Sequence, residues 1–127
     1  MDKTILVVDD ERELTETVKN FLEARHYVVA VAYNGTQALE KARERPDMIL
    51  LDIVMPGING LEVLRRLRTD PVTREVPVIM LTAKGETQSI FDAQSLMATD
   101  YIIKPFSLEE LSILIGRYLD ENQRRPI

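Results

Sequence analysis

Apolar and polar positions along this chain follow two rhythms. Short runs of aliphatic and β-branched residues, Thr4–Val8, Val28–Ala32, Met48–Leu51, Val76–Leu81 and Tyr101–Ile103, lack a clean period of two and are apolar nearly throughout. Strands covered on both faces read this way, because neither face meets water. Between them the spacing is helical. Leu14, Val18, Phe21 and Leu22 share one face, as do Ala38, Leu39 and Ala42, then Leu61, Leu64 and Leu67. Ile90, Ala93 and Met97 mark a fourth helix, whose Gln94-Ser95 makes it the least amphipathic. Leu108, Leu111, Leu114, Ile115, Tyr118 and Leu119 make the fifth and strongest.

Helix and turn signals agree with this parsing. Asn34-Gly35 turns the chain into the second helix, and Asn59 precedes Gly60 as an N-cap for the third. Ser107 with Glu110 forms a capping box that opens the fifth. Asp70-Pro71 stops the third helix, and Pro77 is expected at the start of the fourth strand, where a missing N–H is tolerated. Five strands each followed by a helix imply parallel pairing with right-handed crossovers. The expected fold is α/β, a five-stranded doubly wound parallel sheet with five helices. One domain over residues 1–121 and a polar C-terminal tail over 122–127 account for the chain.

Composition narrows the classes. With 127 residues, 45% hydrophobic and 29% charged, the chain suits one soluble domain with a real core. It has no cysteine, so disulfides and thiolate chemistry are excluded. Ile5–Val8 is too short for a signal-peptide core and is followed at once by Asp9-Asp10-Glu11, and no run approaches the ~20 apolar residues of a membrane span. A cytoplasmic protein is expected. Sixteen basic against twenty-one acidic residues give a net charge of −5, which argues against direct nucleic-acid binding by this chain.

In an open α/β sheet the functional crevice lies outside the carboxyl ends of the strands. Asp9 and Asp10 follow the first strand, Asp52 the third, Thr82 the fourth and Lys104 the fifth. Two carboxylates ~4 Å apart repel by roughly 4 kcal/mol at an effective dielectric near 20, so three of them call for a cation. A hard ion such as Mg²⁺ matches oxygen ligands. A metal ion and a lysine facing a carboxylate also suit the charge that develops in phosphoryl transfer. Asp52 could then be the nucleophile of an acyl phosphate.

Each residue also has a plain structural reading. Asp9 or Asp10 could cap the first helix, Asp52 could be a turn residue, Thr82 could cap the helix after it, and Lys104 could be a solvated loop lysine. Their joint occurrence at four strand ends favours the chemical reading. His26 has no second His or Cys nearby and reads as a surface residue. The methionines read as packing, and Phe91 is open between core and docking surface.

Four motifs in order resemble the receiver domains of two-component response regulators, in particular single-receiver proteins of the chemotaxis-regulator kind. They are Val7-Val8-Asp9-Asp10-Glu11, the run from Leu51 through Asp52 and Met55-Pro56-Gly57 to Gly60, Leu81-Thr82-Ala83-Lys84, and Asp100 through Lys104-Pro105-Phe106. The resemblance covers Lys3 to about Leu119 and implies the flavodoxin-like strand order 2-1-3-4-5. It implies that Asp52 takes a phosphoryl group from a histidine kinase or phosphotransfer protein. Asp9, Asp10, Asp52 and the carbonyl of Val54 would hold Mg²⁺, Thr82 and Lys104 would contact the phosphoryl group, and Lys104–Pro105 would be cis. Tyr101 would be a rotamer switch coupled to Thr82. The surface of the fourth helix, fifth strand and fifth helix would change for a downstream partner, with the Thr82–Glu86 loop as the bistable element and Gly85 its flexible point.

Some positions depart from the family pattern. Val54 and Lys84 stand where the family tunes acyl-phosphate lifetime, and an apolar residue at 54 implies unremarkable to slow self-dephosphorylation. Met97 stands where many relatives have Gly. The charge pattern that supports dimers in the DNA-binding subfamily is not visible, so dimerisation through that face is not inferred and the oligomeric state stays open. Two rival classes fit the chain less well. A haloacid-dehalogenase-type phosphohydrolase also uses an aspartyl phosphate, but its nucleophile ends the first strand. An interaction module with a relict pocket would leave the acidic cluster only destabilising. The chain is therefore expected to be a switch and not an enzyme on an external substrate. No effector follows Leu119, which favours slightly a stand-alone receiver over a piece of a longer regulator.

Overall fold

The computed structural model describes residues 2–119, and the expected polar tail lies outside the described residues. The strands are β1 (Thr4–Val8), β2 (Val28–Ala32), β3 (Met48–Asp52), β4 (Val78–Ala83) and β5 (Asp100–Lys104). The helices are α1 (Arg12–Glu23), α2 (Gly35–Ala42), α3 (Gly60–Thr69), α4 (Thr87–Ser95) and α5 (Leu108–Leu119). All pairs are parallel, as the alternation implied, and the strand order is β2-β1-β3-β4-β5.

Burial follows from position in the sheet. β3 lies at the centre and is buried at every residue. Its side chains alternate between two cores. Leu50 and Met48 pack with Val18 and Leu22 of α1 and Leu111 and Ile115 of α5. Ile49 and Leu51 pack on the other face with Ala38 of α2, Leu64 and Leu67 of α3, and Ala93 of α4. The edges differ from expectation. Tyr101 and Ile103 of β5 are exposed while Ile102 between them is buried, so the apolar run Tyr101–Ile103 is not covered on both faces. An edge strand has a neighbour on one side only, and among the described residues no helix covers this face of β5 tightly enough to bury Tyr101 and Ile103.

β4 begins two residues later than Val76. The Val76 amide donates to Thr73 and its carbonyl accepts from the Arg68 guanidinium, so neither is free for a ladder. Pro77 supplies the first rung through its carbonyl, which accepts from Ile49 N–H at 2.9 Å. The strand then runs on through Thr82 to Ala83, and α4 starts only after Gly85, at φ +90°. Thr82 therefore caps no helix.

The helix starts behave as their sequences imply. Asn34 accepts from Gln37 N–H at 2.8 Å, Asn59 from Glu62 N–H at 3.0 Å, and Ser107 Oγ from Glu110 N–H at 3.0 Å. Neither Asp9 nor Asp10 caps α1; the cap residue is Glu11, which makes no capping bond through its side chain. α4 is the least anchored helix. It buries one residue, Ala93, starts without a side-chain cap, and leaves Phe91 exposed. Its C-terminal end is held more firmly. Met97 takes φ +69°, Ala98 N–H bonds Ala93 C=O, and Arg68 donates to the Met97 carbonyl at 2.9 Å.

One glycine fixes the approach of α3 to the end of β3. Gly60 donates its N–H to Ile53 C=O at 2.8 Å, and a Cβ there would lie 2.1 Å from the Asp52 carbonyl oxygen. The neighbour is backbone and cannot swing away. Gly60→Ala is expected to destabilise the fold by about 3 kcal/mol in urea denaturation, the upper range for an overpacked site. A loss below about 1 kcal/mol would mean that this end of β3 yields easily.

Candidate functional site

The strand ends bring most of the expected residues together at one rim. Asp9 follows β1 directly and continues its ladder, donating its N–H to Ala32 C=O. Its side chain is completely buried, and Oδ1 accepts from Glu11 N–H at 2.9 Å. Asp10 next to it is exposed. Asp52 is the last residue of β3 and only 5% exposed. One carboxylate oxygen from each of Asp9, Asp10 and Asp52 lies within 4.8 Å of the others.

Lys104 reaches this cluster from the end of β5. Its Nζ lies 2.7 Å from Asp9 Oδ2, 3.1 Å from Glu11 Oε1 and 3.4 Å from Asp52 Oδ1. The following Lys104–Pro105 bond is cis. Burial alone would lower the ammonium's pKa, but the bond to Asp9, the charges of Asp52 and Asp9, and the bond to Glu11 outweigh it and hold the pKa above its ordinary value.

Asp52 is perturbed in the opposite sense from a salt-bridged carboxylate. Burial, followed by the charge of Asp9, pushes its carboxyl up to about 7, against the pull of Lys104. One ammonium does not neutralise this group of carboxylates. The donor set, three carboxylates converging on one point, fits a hard divalent cation.

Thr82 is the penultimate residue of β4, beside Leu81, which pairs with Asp52. Its Oγ1 is buried and, among the described residues, is the buried side-chain polar atom left without a hydrogen-bond partner. Such an orphan costs about 1–3 kcal/mol unless an acceptor arrives. Tyr101 is not joined to it: Tyr101 pairs with Met80 in the ladder, while Thr82 pairs with Ile103, and the tyrosine is 37% exposed. Val54 stands beyond Asp52 with its side chain exposed, as does Lys84 beyond Thr82.

A model of the response regulator receiver domain matches residues 5–115. The chain belongs to this family. Among curated relatives, the receiver is 42% identical over 127 residues to the DNA-binding response regulator MtrA of Mycolicibacterium paratuberculosis, covering 99% of this chain and 55% of that protein. It is 46% identical over 110 residues to the phosphate regulon transcriptional regulatory protein PhoB of Pseudomonas aeruginosa, covering 86% of this chain and 48% of that protein. The receiver thus spans about half the length of these curated relatives. Among solved structures, the chemotaxis protein CheY4 of Vibrio cholerae superposes with a TM-score of 0.88 at 30% identity, covering 94% of this chain and 100% of that one. The receiver domain of NtrX from Brucella abortus gives 0.84 at 30% identity, covering 92% and 98%. Among the described residues no helix is long and apolar enough to cross a membrane.

Sequence reasoning passed over one participant. Glu11 was visible only as the third acid of Asp9-Asp10-Glu11, and its bond to a lysine 93 positions away needed the fold.

The raised Asp52 pKa has a consequence for stability. A carboxyl that titrates near 7 folded and near 3.8 unfolded binds its proton more tightly when folded, so ionising it as pH rises through that window removes stability. Metal-free Asp52→Asn is therefore expected to melt higher than the native receiver at pH 8, by about 5 °C, with the difference shrinking toward pH 5. Thermal melts followed by circular dichroism check this. A difference that does not change with pH would refute it.

Proposed function

We propose that this receiver is a phosphorylation-activated switch that accepts a phosphoryl group on Asp52 from the phosphohistidine of a histidine kinase or phosphotransfer protein. The observation that carries the reading is the Thr82 hydroxyl, buried without a partner on the strand next to the one that ends in Asp52, whose carboxylate Lys104 already contacts. A phosphoryl group on Asp52 would supply the missing acceptor and an anion for Lys104.

The transfer forms one bond and breaks one. An Asp52 carboxylate oxygen bonds to phosphorus as the P–N bond of the donor breaks, and the electron pair returns to the imidazole nitrogen, which takes up a proton. Asp9, Asp10, Asp52 and the Val54 carbonyl are the residues that would hold Mg²⁺. Bound there, the ion would neutralise charge on the transferring group. Lys104 orients on a phosphoryl oxygen and Thr82 donates to another. No external substrate is turned over; the receiver catalyses its own transfer and its own hydrolysis.

Output follows from the same hydroxyl. When Thr82 turns to the phosphoryl group, the Thr82–Glu86 loop moves, Tyr101 turns inward, and the surface of α4, β5 and α5 changes for a downstream protein or an attached output domain. The loop is exposed from Ala83 to Gly85, and Gly85 holds φ +90°, which supports it as the moving element. A kinase partner of this kind implies a cytoplasmic setting.

Incubation with acetyl phosphate, followed by intact mass, is expected to add one phosphoryl group with Mg²⁺, none without it, and none to Asp52→Asn. The phosphoryl mimic beryllofluoride is expected to shift amide resonances from Thr82 through Lys104. A gain that survives in Asp52→Asn, or an unchanged α4–β5–α5 surface, would defeat the reading. Val54 offers no polar group to orient a hydrolytic water, so Val54→Asn is expected to shorten the phosphoryl lifetime several-fold, measured by loss of the mass-shifted species.

A further inference from the structure

Lys104 carries three N–H donors, and three carboxylates already surround them. The contacts are unequal. Asp9 at 2.7 Å and Glu11 at 3.1 Å are hydrogen bonds, whereas Asp52 at 3.4 Å is a looser ion pair. The ammonium is thus drawn to the β1 side of the crevice, away from the residue it would have to serve. An incoming phosphoryl group must take one of these places.

The three carboxylates differ in how readily they let go. The Asp9 side chain is wholly buried and its other oxygen is held by the Glu11 N–H. Asp52 is the acceptor itself. Glu11 is 64% exposed, so water can replace its bond to Lys104 at little cost. Its backbone and side chain act together, the first fixing Asp9 and the second holding Lys104 beside it.

We propose that Glu11 is a positioning residue that holds the Lys104 ammonium on the Asp9 side of the crevice and must release it before Lys104 can pair with a phosphoryl group on Asp52. This inference rests on the proposed switch and adds to it a residue that restrains the reaction. Glu11 and an incoming phosphoryl group compete for one cation.

Three proteins test this: the native receiver, Glu11→Gln and Glu13→Gln. Glu13 is an exposed acid in the first turn of α1, outside the carboxylates that Lys104 contacts, and its neutralisation changes the net charge equally. The first readout is the initial rate of phosphoryl gain from acetyl phosphate with saturating Mg²⁺ at 150 mM salt. The second is the Lys104 side-chain ¹⁵N and ¹H signal in metal-free protein. Glu11→Gln is expected to react about two- to fivefold faster than the native receiver, the range set by a partly exposed ion pair, and to move the Lys104 signal. Glu13→Gln is expected to match the native rate and signal.

A Glu11→Gln rate equal to or below the native one overturns the inference, as does an unmoved Lys104 signal. Equal acceleration in Glu13→Gln also overturns it, because bulk charge would then be the cause. A native receiver that gains no phosphoryl group refutes the switch itself and takes this inference with it.

Discussion

Lys104 is tied to a residue 95 positions earlier in the chain, and that ion pair with Asp9 spans the crevice from the edge strand β5 to β1. Everything else at the rim is arranged around the charge it neutralises. Remove the ammonium and two buried carboxylates face each other with no cation between them, in a medium where such repulsion is costly. The sheet order makes the pairing available: β3 and β4 lie between the two residues, so the strand ends that carry Asp52 and Thr82 lie on the same rim. Local sequence alone could not create this pocket. It exists because four strand ends stop at the same level.

The two cores keep those ends level. β3 is clamped from both faces, with alternate residues in separate clusters, so it has no freedom to slide without emptying both. Gly60 brings the start of α3 within contact of the Asp52 carbonyl, which fixes the backbone of Asp52 while its side chain stays at the crevice. Firmness at β3 contrasts with the neighbouring loop from Ala83 to Gly85, which is exposed and touches no core. A firm strand end beside an exposed loop is the arrangement that the proposed switch would use.

Much of this was legible in the chain. β1 and β2 stand where the apolar runs put them, and the caps at Asn34, Asn59 and Ser107 make their expected bonds. Asp9, Asp10, Asp52 and Lys104 could be brought together on paper because strand termini in a parallel sheet share one rim. What escaped was set by partners distant in sequence. Val76 looked like strand, but Arg68 and Thr73 occupy its backbone groups. Tyr101 and Ile103 looked buried, but an edge position leaves their face open. The engagement of Glu11 with Lys104 depends on where β5 ends relative to α1, and no local pattern encodes that.

Arg68 gives α4 an asymmetry of its own. The guanidinium grips the Met97 carbonyl and also the carbonyls of Arg74 and Val76, so one end of the helix is fastened to α3 and to the segment before β4. The other end has no side-chain cap and adjoins the exposed loop. A rod pinned at one end behaves as a lever. Over nine residues, about 13 Å, a tilt of roughly ten degrees sweeps the Thr87 end through about 2 Å and leaves the Met97 end almost still. Phe91, midway along, travels about half as far. Residues at the pinned end serve as the fulcrum, and a partner that reads motion must grip nearer the tip.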